Sequence, residues 1–120
     1  SAMDQILAED PSIDAVFAAS DLMASGALQS LAAHGRRVPE DVAVIGYDDL
    51  GVADDTVPAL TTVANPVVRM ARLATEELLV TLGAIAEDDL ADPSDADLPP
   101  VVDPTGRSVL APVLVLRASS

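Results

Sequence analysis

The chain has 120 residues, 50% of them hydrophobic, with 20 acidic and 6 basic side chains and a formal charge of −14; all cations are Arg, and the aromatics are Phe17 and Tyr47. The length fits one small domain or a piece of a larger one, with a modest aliphatic core. This charge argues against a grip on nucleic acid or an anionic membrane, no apolar run approaches the roughly 18 residues of a membrane span, and zero cysteines remove disulfides, thiol nucleophiles and thiolate metal sites.

Ser1-Ala2-Met3 reads as a tag remnant and is set aside from the fold. Asp4 to Glu9 reads as the last turn of a helix broken by Pro11-Ser12, a stump that points to a truncated domain. Ile13 to Ala19 is a short apolar run with β-branched and aromatic members, expected as a buried parallel strand. Ser20 or Asp21 then caps a helix to about His34, with Ala24, Ala27, Leu28 and Leu31 as its inward stripe and Gly35 as its left-handed cap. Val42 to Ile45 is a second buried strand, ended by Gly46. Strand, helix and strand in this order predict an α/β fold: a partial parallel sheet with flanking helices.

Tyr47 to Leu60 is loop-like, and Thr61-Thr62-Val63 is β-prone. Asn65 as N-cap and Pro66 at the first helical position start a helix to about Leu82, closed by Gly83. Its apolar face carries Val67, Met70, Ala71, Ala74, Leu78 and Leu82; Arg69, Arg72, Glu76 and Glu77 lie opposite. Seven acids and four prolines between Glu87 and Gly106 read as a flexible acidic loop. Ser108 to Leu116 returns to strand character, with Pro112 confining it to an edge or a bulge.

Catalytic chemistry has little to stand on, and the chain reads as no enzyme. His34, beside Gly35 at a helix end, faces solvent or the last carbonyls. Asp48-Asp49 makes no dyad, because adjacent side chains on an extended chain point apart. No calcium-loop spacing and no cofactor motif is present, so neither a metal nor a cofactor is expected. Position says more. Ser20-Asp21 follows the first strand and Tyr47-Asp48-Asp49 the second, so both emerge at the carboxyl edge of a parallel sheet, where open α/β sheets build ligand crevices. Pattern alone leaves two readings open: a rim for a small polar ligand, or a helix cap and a turn.

The segments AVFAASDLMASGALQSLAAHGRRVPEDVAVIGYDD and PALTTVANPVVRMARLATEELL closely resemble the carboxyl-terminal part of the lac repressor/gal repressor family. The likeness runs from about Pro11 to Leu82 and resumes over Ser108–Arg117, and the joint pattern is highly specific. It implies a fragment of a type I periplasmic-binding-protein-like effector domain: residues 4–63 from one lobe, a helix of the other at 64–86, an acidic insertion at 87–107 and a returning strand at 108–120. The implied protein is a cytoplasmic, ligand-responsive transcriptional repressor that meets DNA only through an absent amino-terminal domain. A periplasmic sugar-binding transport protein is the alternative.

By the same resemblance Asp48 hydrogen-bonds a sugar or nucleoside-like effector. Relatives usually carry Asn where Ser20 stands; Ser20 offers only a hydroxyl. Asn65 falls near the lobe crossing, where ligand is also contacted, and Val67 replaces the aromatic of some relatives. Leu22, Ser25 and Gln29 recur on a helix face turned away from the core stripe, and the matching face with the loop around Thr56 pairs two subunits in the family. A homodimer is therefore expected.

Overall fold

In the computed structural model the described residues are 1–86, 101–102 and 108–120. They form α1 (Ala2–Glu9), β1 (Ala15–Phe17), α2 (Asp21–Ala33), β2 (Ala43–Asp48), α3 (Val52–Asp55), β3 (Thr61–Ala64), α4 (Val67–Thr81), β4 (Val101–Val102), β5 (Ser108–Val109) and β6 (Val113–Val115). Residues 1–65 and 113–120 make one compact unit, and 66–112 a second.

The first unit is built on a four-stranded sheet in the order β1-β2-β3-β6. β1, β2 and β3 are parallel, in the register Phe17↔Ile45↔Thr61, and β6 joins β3 antiparallel with Val63 opposite Leu114. The sheet is thus mixed, with its parallel part supplied by the strand–helix–strand order.

α2 forms where capping and periodicity agree. Ser20 Oγ accepts from the Met23 amide at 3.3 Å, and Gly35 adopts the left-handed φ of +69° beyond the helix. Ala24, Ala27, Leu28 and Leu31 are all buried, packed with Val42, Val44, Ala53 and Leu60. Met3 and Leu7, one turn apart on α1, join the same core. Residues 1–3 therefore contribute to the fold, against their setting aside: Ser1 caps α1, and the rest of its turn brings Met3 inside. α1 spans eight residues, Ala2–Glu9, more than a single turn.

The structure corrects other expectations. β1 is three residues long rather than the whole Ile13–Ala19 run, and it is not buried: Phe17 is 65% exposed, on an edge strand with Ala15. Gly46 does not end β2, which continues to Asp48. A Cβ at Gly46 would overlap Asp21 Oδ1 and lie 2.8 Å from Leu60 Cδ2, so glycine is present for close packing and not as a terminator. The Tyr47–Leu60 loop holds the single turn α3. Pro112 splits the expected Ser108–Leu116 strand, leaving β5 and β6 in different sheets.

In the second unit α4 starts one residue later than the predicted cap: Pro66 occupies the N-cap, no side chain caps the helix, and Gly83 closes it with φ +67°. None of its residues is buried, and Val67, Met70, Leu78 and Leu82 of its apolar face are exposed. Val101 and Val102, expected within a loop, pair antiparallel with Val109 and Ser108. The remainder of the acidic stretch, residues 87–100 and 103–107, lies outside the described residues.

Two glycines separate packing from propensity. Gly46→Ala should lower stability by about 1–3 kcal/mol through overpacking. Gly26→Ala, exposed within α2 and with nothing within 4 Å of the added methyl, should raise it by about 0.5–1 kcal/mol. Urea denaturation of the two variants checks both signs.

Candidate functional site

Parallel strands deliver their ends to one edge, and the residues that follow them decide what that edge can bind. After β1 comes Ser20, half-buried, with its hydroxyl engaged as the α2 cap. The next residue, Asp21, is 3% exposed and charged, a placement that requires partners. Its Oδ1 accepts from the Thr62 hydroxyl at 2.5 Å and its Oδ2 from the Asp49 amide at 2.8 Å. Lying in the first turn of α2, it also meets the positive end of that helix.

At the end of β2 the backbone turns through two residues of positive φ, Asp48 at +113° and Asp49 at +56°. Both values are unfavourable for residues with a Cβ, and cost of order 1–3 kcal/mol each. The Asp49 carboxylate is turned to Arg117, whose Nη2 donates to Oδ1 at 2.9 Å. The Asp48 carboxylate is half-buried and hydrogen-bonds to no side chain or amide among the described residues. The adjacent carboxylates thus differ in their partners, although the backbone here turns through positive φ rather than running extended as expected.

Asn65 follows β3, and its amide donates to the Asp48 carbonyl at 3.1 Å. That bond brings Asp48 and Asn65 together at neighbouring strand tips, where Asp48 is in register with Ala64. The Asn65 carboxamide, also half-buried, has no hydrogen-bond partner among the described residues. Ser20 is linked to the pair at one remove: its neighbour Asp21 holds the amide of Asp48's neighbour Asp49. Of the three residues read from sequence, Asp48 and Asn65 therefore present uncommitted polar groups, while Ser20 is capping a helix.

Asp21, Thr62 and Arg117 hold this edge, and none was singled out as its scaffold. Asp21 carried a signal as a second polar residue after a strand. Thr62 and Arg117 had none, because their partners lie far away in the sequence.

The other candidate surface is the outer face of α2. Leu22 and Gln29 are exposed, and Ser25 and Thr56 are half-buried. Ser25, Gln29 and Thr56 line an open groove of about 330 Å³ with Leu28, Val52 and Val57; Leu22 lies outside it. The Thr56 hydroxyl is within 3.0 Å of the Ala53 carbonyl and 2.9 Å of the Pro58 carbonyl, which fixes the loop after α3. His34 meets the last carbonyls of α2 as expected, with Nδ1 2.9 Å from Ser30 O. Among the described residues no group of three metal-capable side chains comes together, and no helix is long and apolar enough to cross a membrane.

The carboxyl edge of this α/β sheet thus carries uncommitted polar side chains beside tightly fastened ones. The periplasmic binding protein-like domain model matches residues 1–120, and the chain belongs to that family. Its curated relatives include the HTH-type transcriptional regulator CelR of Thermobifida fusca, 56% identical over 72 residues, covering 60% of this chain and 21% of that protein. The HTH-type transcriptional regulator GalS of Salmonella typhimurium is 46% identical over 76 residues, with 63% and 22% covered. Among solved structures, a CelR–cellobiose complex superposes with a TM-score of 0.77 at 40% identity, covering 99% of this chain and 32% of that one. A LacI family transcriptional regulator from Arthrobacter sp. FB24 in complex with lactose gives 0.75 at 36%, with 99% and 40% covered. The resemblance drawn from the sequence holds. The chain spans about a fifth of the length of these curated relatives.

The backbone at Asp48 yields a direct test. Glycine adopts its φ without strain, so Asp48→Gly should be more stable than the wild type by about 1 kcal/mol in urea denaturation.

Proposed function

We propose that the chain is the effector-sensing and dimerising segment of a ligand-responsive transcriptional repressor, acting in the cytoplasm and catalysing no reaction. The observation that carries the reading is the contrast at the carboxyl edge. Asp21 and Asp49 have their carboxylates engaged, whereas Asp48 and Asn65, half-buried and joined through the backbone, keep a carboxylate and a carboxamide uncommitted among the described residues. Ser20, Asp48 and Asn65 are the effector contacts of this reading. A carboxylate and a carboxamide side by side accept and donate, which suits the vicinal hydroxyls of a sugar or nucleoside-like molecule.

Relatives described as transcriptional regulators, two of them solved with cellobiose and lactose, support a sugar and weigh against the transport alternative. In the intact regulator, effector held between two lobes favours one lobe arrangement and so biases DNA-binding heads that lie outside this chain. Such coupling needs only differential contacts with the two arrangements.

In the intact regulator Asp48→Ala should abolish or strongly weaken the effector response while operator binding persists, because charge-assisted bonds of about 1.5–3 kcal/mol are removed. A reporter assay with cellobiose, lactose and sucrose reads this; an unchanged response returns Asp48 to a turn residue. Calorimetry of the isolated chain against the same sugars and a nucleoside set should give no micromolar binding, since one wall supplies only part of the contacts.

Pairing of two copies uses the outer face of α2 with the Thr56 loop. Leu22, Ser25, Gln29 and Thr56 belong to this interface, and the apolar face of α4 adds a second surface. Burying four to six such side chains contributes several kcal/mol at about 25 cal/mol per Å². Repulsion from the −14 charge is screened beyond about 8 Å at physiological salt. Sedimentation at micromolar concentration should show a dimer or larger; a 12.3 kDa monomer overturns the pairing.

A further inference from the structure

We propose that Arg117 is a positioning residue for the effector site, holding the turn after β2 so that the Asp48 carboxylate is presented in one orientation. The proposal rests on the effector reading of Asp48 and adds a residue that touches no ligand.

The geometry is that of a three-way clasp. Arg117 Nη2 donates to Asp49 Oδ1 at 2.9 Å, Nε pairs with Asp54 Oδ1 at 2.8 Å, and Nη1 donates to the Leu60 carbonyl at 3.1 Å. One guanidinium thereby joins the turn after β2, the helix α3 and the residue leading into β3. Arg117 is itself anchored, because its amide donates to Thr61 Oγ1 at 2.8 Å. Its side chain is 16% exposed and that of Asp49 21%, so this pair is screened far less than an ion pair in open solvent. The planar fork matters: five donors in a fixed plane reach two carboxylates and a carbonyl together, which a single ammonium cannot do.

Asp49 is consequently held at both ends, its amide by Asp21 and its carboxylate by Arg117. Asp48, the last residue of β2, adjoins this double anchor in a backbone conformation of positive φ that relaxes unless neighbours hold it. Without Arg117 the Asp49 side of the turn keeps the Asp21 bond alone, with only the Asn65 amide on the Asp48 carbonyl beside it, and the Asp48 carboxylate samples several orientations. Ordering it then falls to the ligand, and affinity drops.

Two arms test this. Amide hydrogen exchange is followed by NMR on the 120-residue chain, wild type against Arg117→Met. The Asp49 and Asn65 amides, which bond to Asp21 and to the Asp48 carbonyl, should lose protection tenfold or more while the Ala18 amide, bonded to the Ile45 carbonyl, keeps its own. In the intact regulator, Arg117→Met should weaken binding of cellobiose, lactose or sucrose at least tenfold, with operator binding retained. Should Arg117→Met not fold, Arg117→Lys, which keeps the charge but cannot span both carboxylates, carries the same two measurements. Protection lost evenly across the sheet, protection unchanged at Asp49 and Asn65, or unchanged sugar affinity each overturns the proposal. Failure of the underlying reading looks different: Asp48→Ala then binds sugar like the wild type, or the wild type binds none of the three, and the positioning role falls with it.

Discussion

A buried carboxylate organises the carboxyl edge of this sheet. Asp21 sits at the start of α2, yet its oxygens reach across β2 to the Thr62 hydroxyl on β3 and the Asp49 amide beyond β2. Taking a charge out of water is costly unless every lone pair finds a donor, so the site tolerates few alternatives. Thr62 supplies the donor from a fully buried position, and Gly46 leaves the space that Asp21 Oδ1 fills. Removing the carboxylate strands a hydroxyl and an amide together, whereas removing Thr62 leaves Asp21 with the Asp49 amide alone. Helix, two strands and a turn are thereby fixed to one another at the very edge where ligand chemistry is sought.

The few cations serve a similar end. Against 20 acids, the 6 arginines cannot balance the charge, and those best defined act as fasteners instead. Arg36 donates to the Pro11 and Ile13 carbonyls at 2.9 and 3.2 Å, securing the approach to β1. Arg37 pairs with Asp41 across the loop before β2, which holds the Asp41 carboxyl below its ordinary range. Arg117 does the same for the turn after β2. In each case the guanidinium spans more than one acceptor, and a chain without Lys is suited to that.

What could be read from sequence follows the range of the interactions involved. α2 was legible throughout, because cap, apolar period and closing glycine are local signals that agree over fourteen or so residues. The edge positions of Ser20 and Asp48 were legible too, since strand ends in a parallel sheet share one side; Asn65 came only from the family resemblance, its local signal being that of a helix cap. Gly46 was misjudged for a physical reason: locally glycine signals a break, and the contact that demands it comes from Asp21. Phe17 was placed inside because a β-branched and aromatic run looks the same on an edge strand as in the middle of a sheet. The four residues of α3 are too few to show a period. Partners of Asp49 stand 28 and 68 residues away, at a distance where pairing depends on topology and leaves no trace in spacing.

Strain and anchorage at the candidate site belong together. Two successive aspartates in positive-φ conformations would relax in a free loop, and they persist here because the second is held through both its amide and its carboxylate. The small aliphatic core behind them, mostly Ala and Leu, cannot by itself dictate the orientation of one half-buried turn. Directional bonds can. In the proposed effector site their effect is to remove freedom from Asp48 before ligand arrives, so that binding energy need not be spent on ordering it. The fastened residues next to Asp48 and the uncommitted carboxylate are therefore one arrangement: under the proposed effector reading the first makes the second a useful acceptor, and a change at Asp21, Asp49 or Arg117 would reach the ligand without touching it.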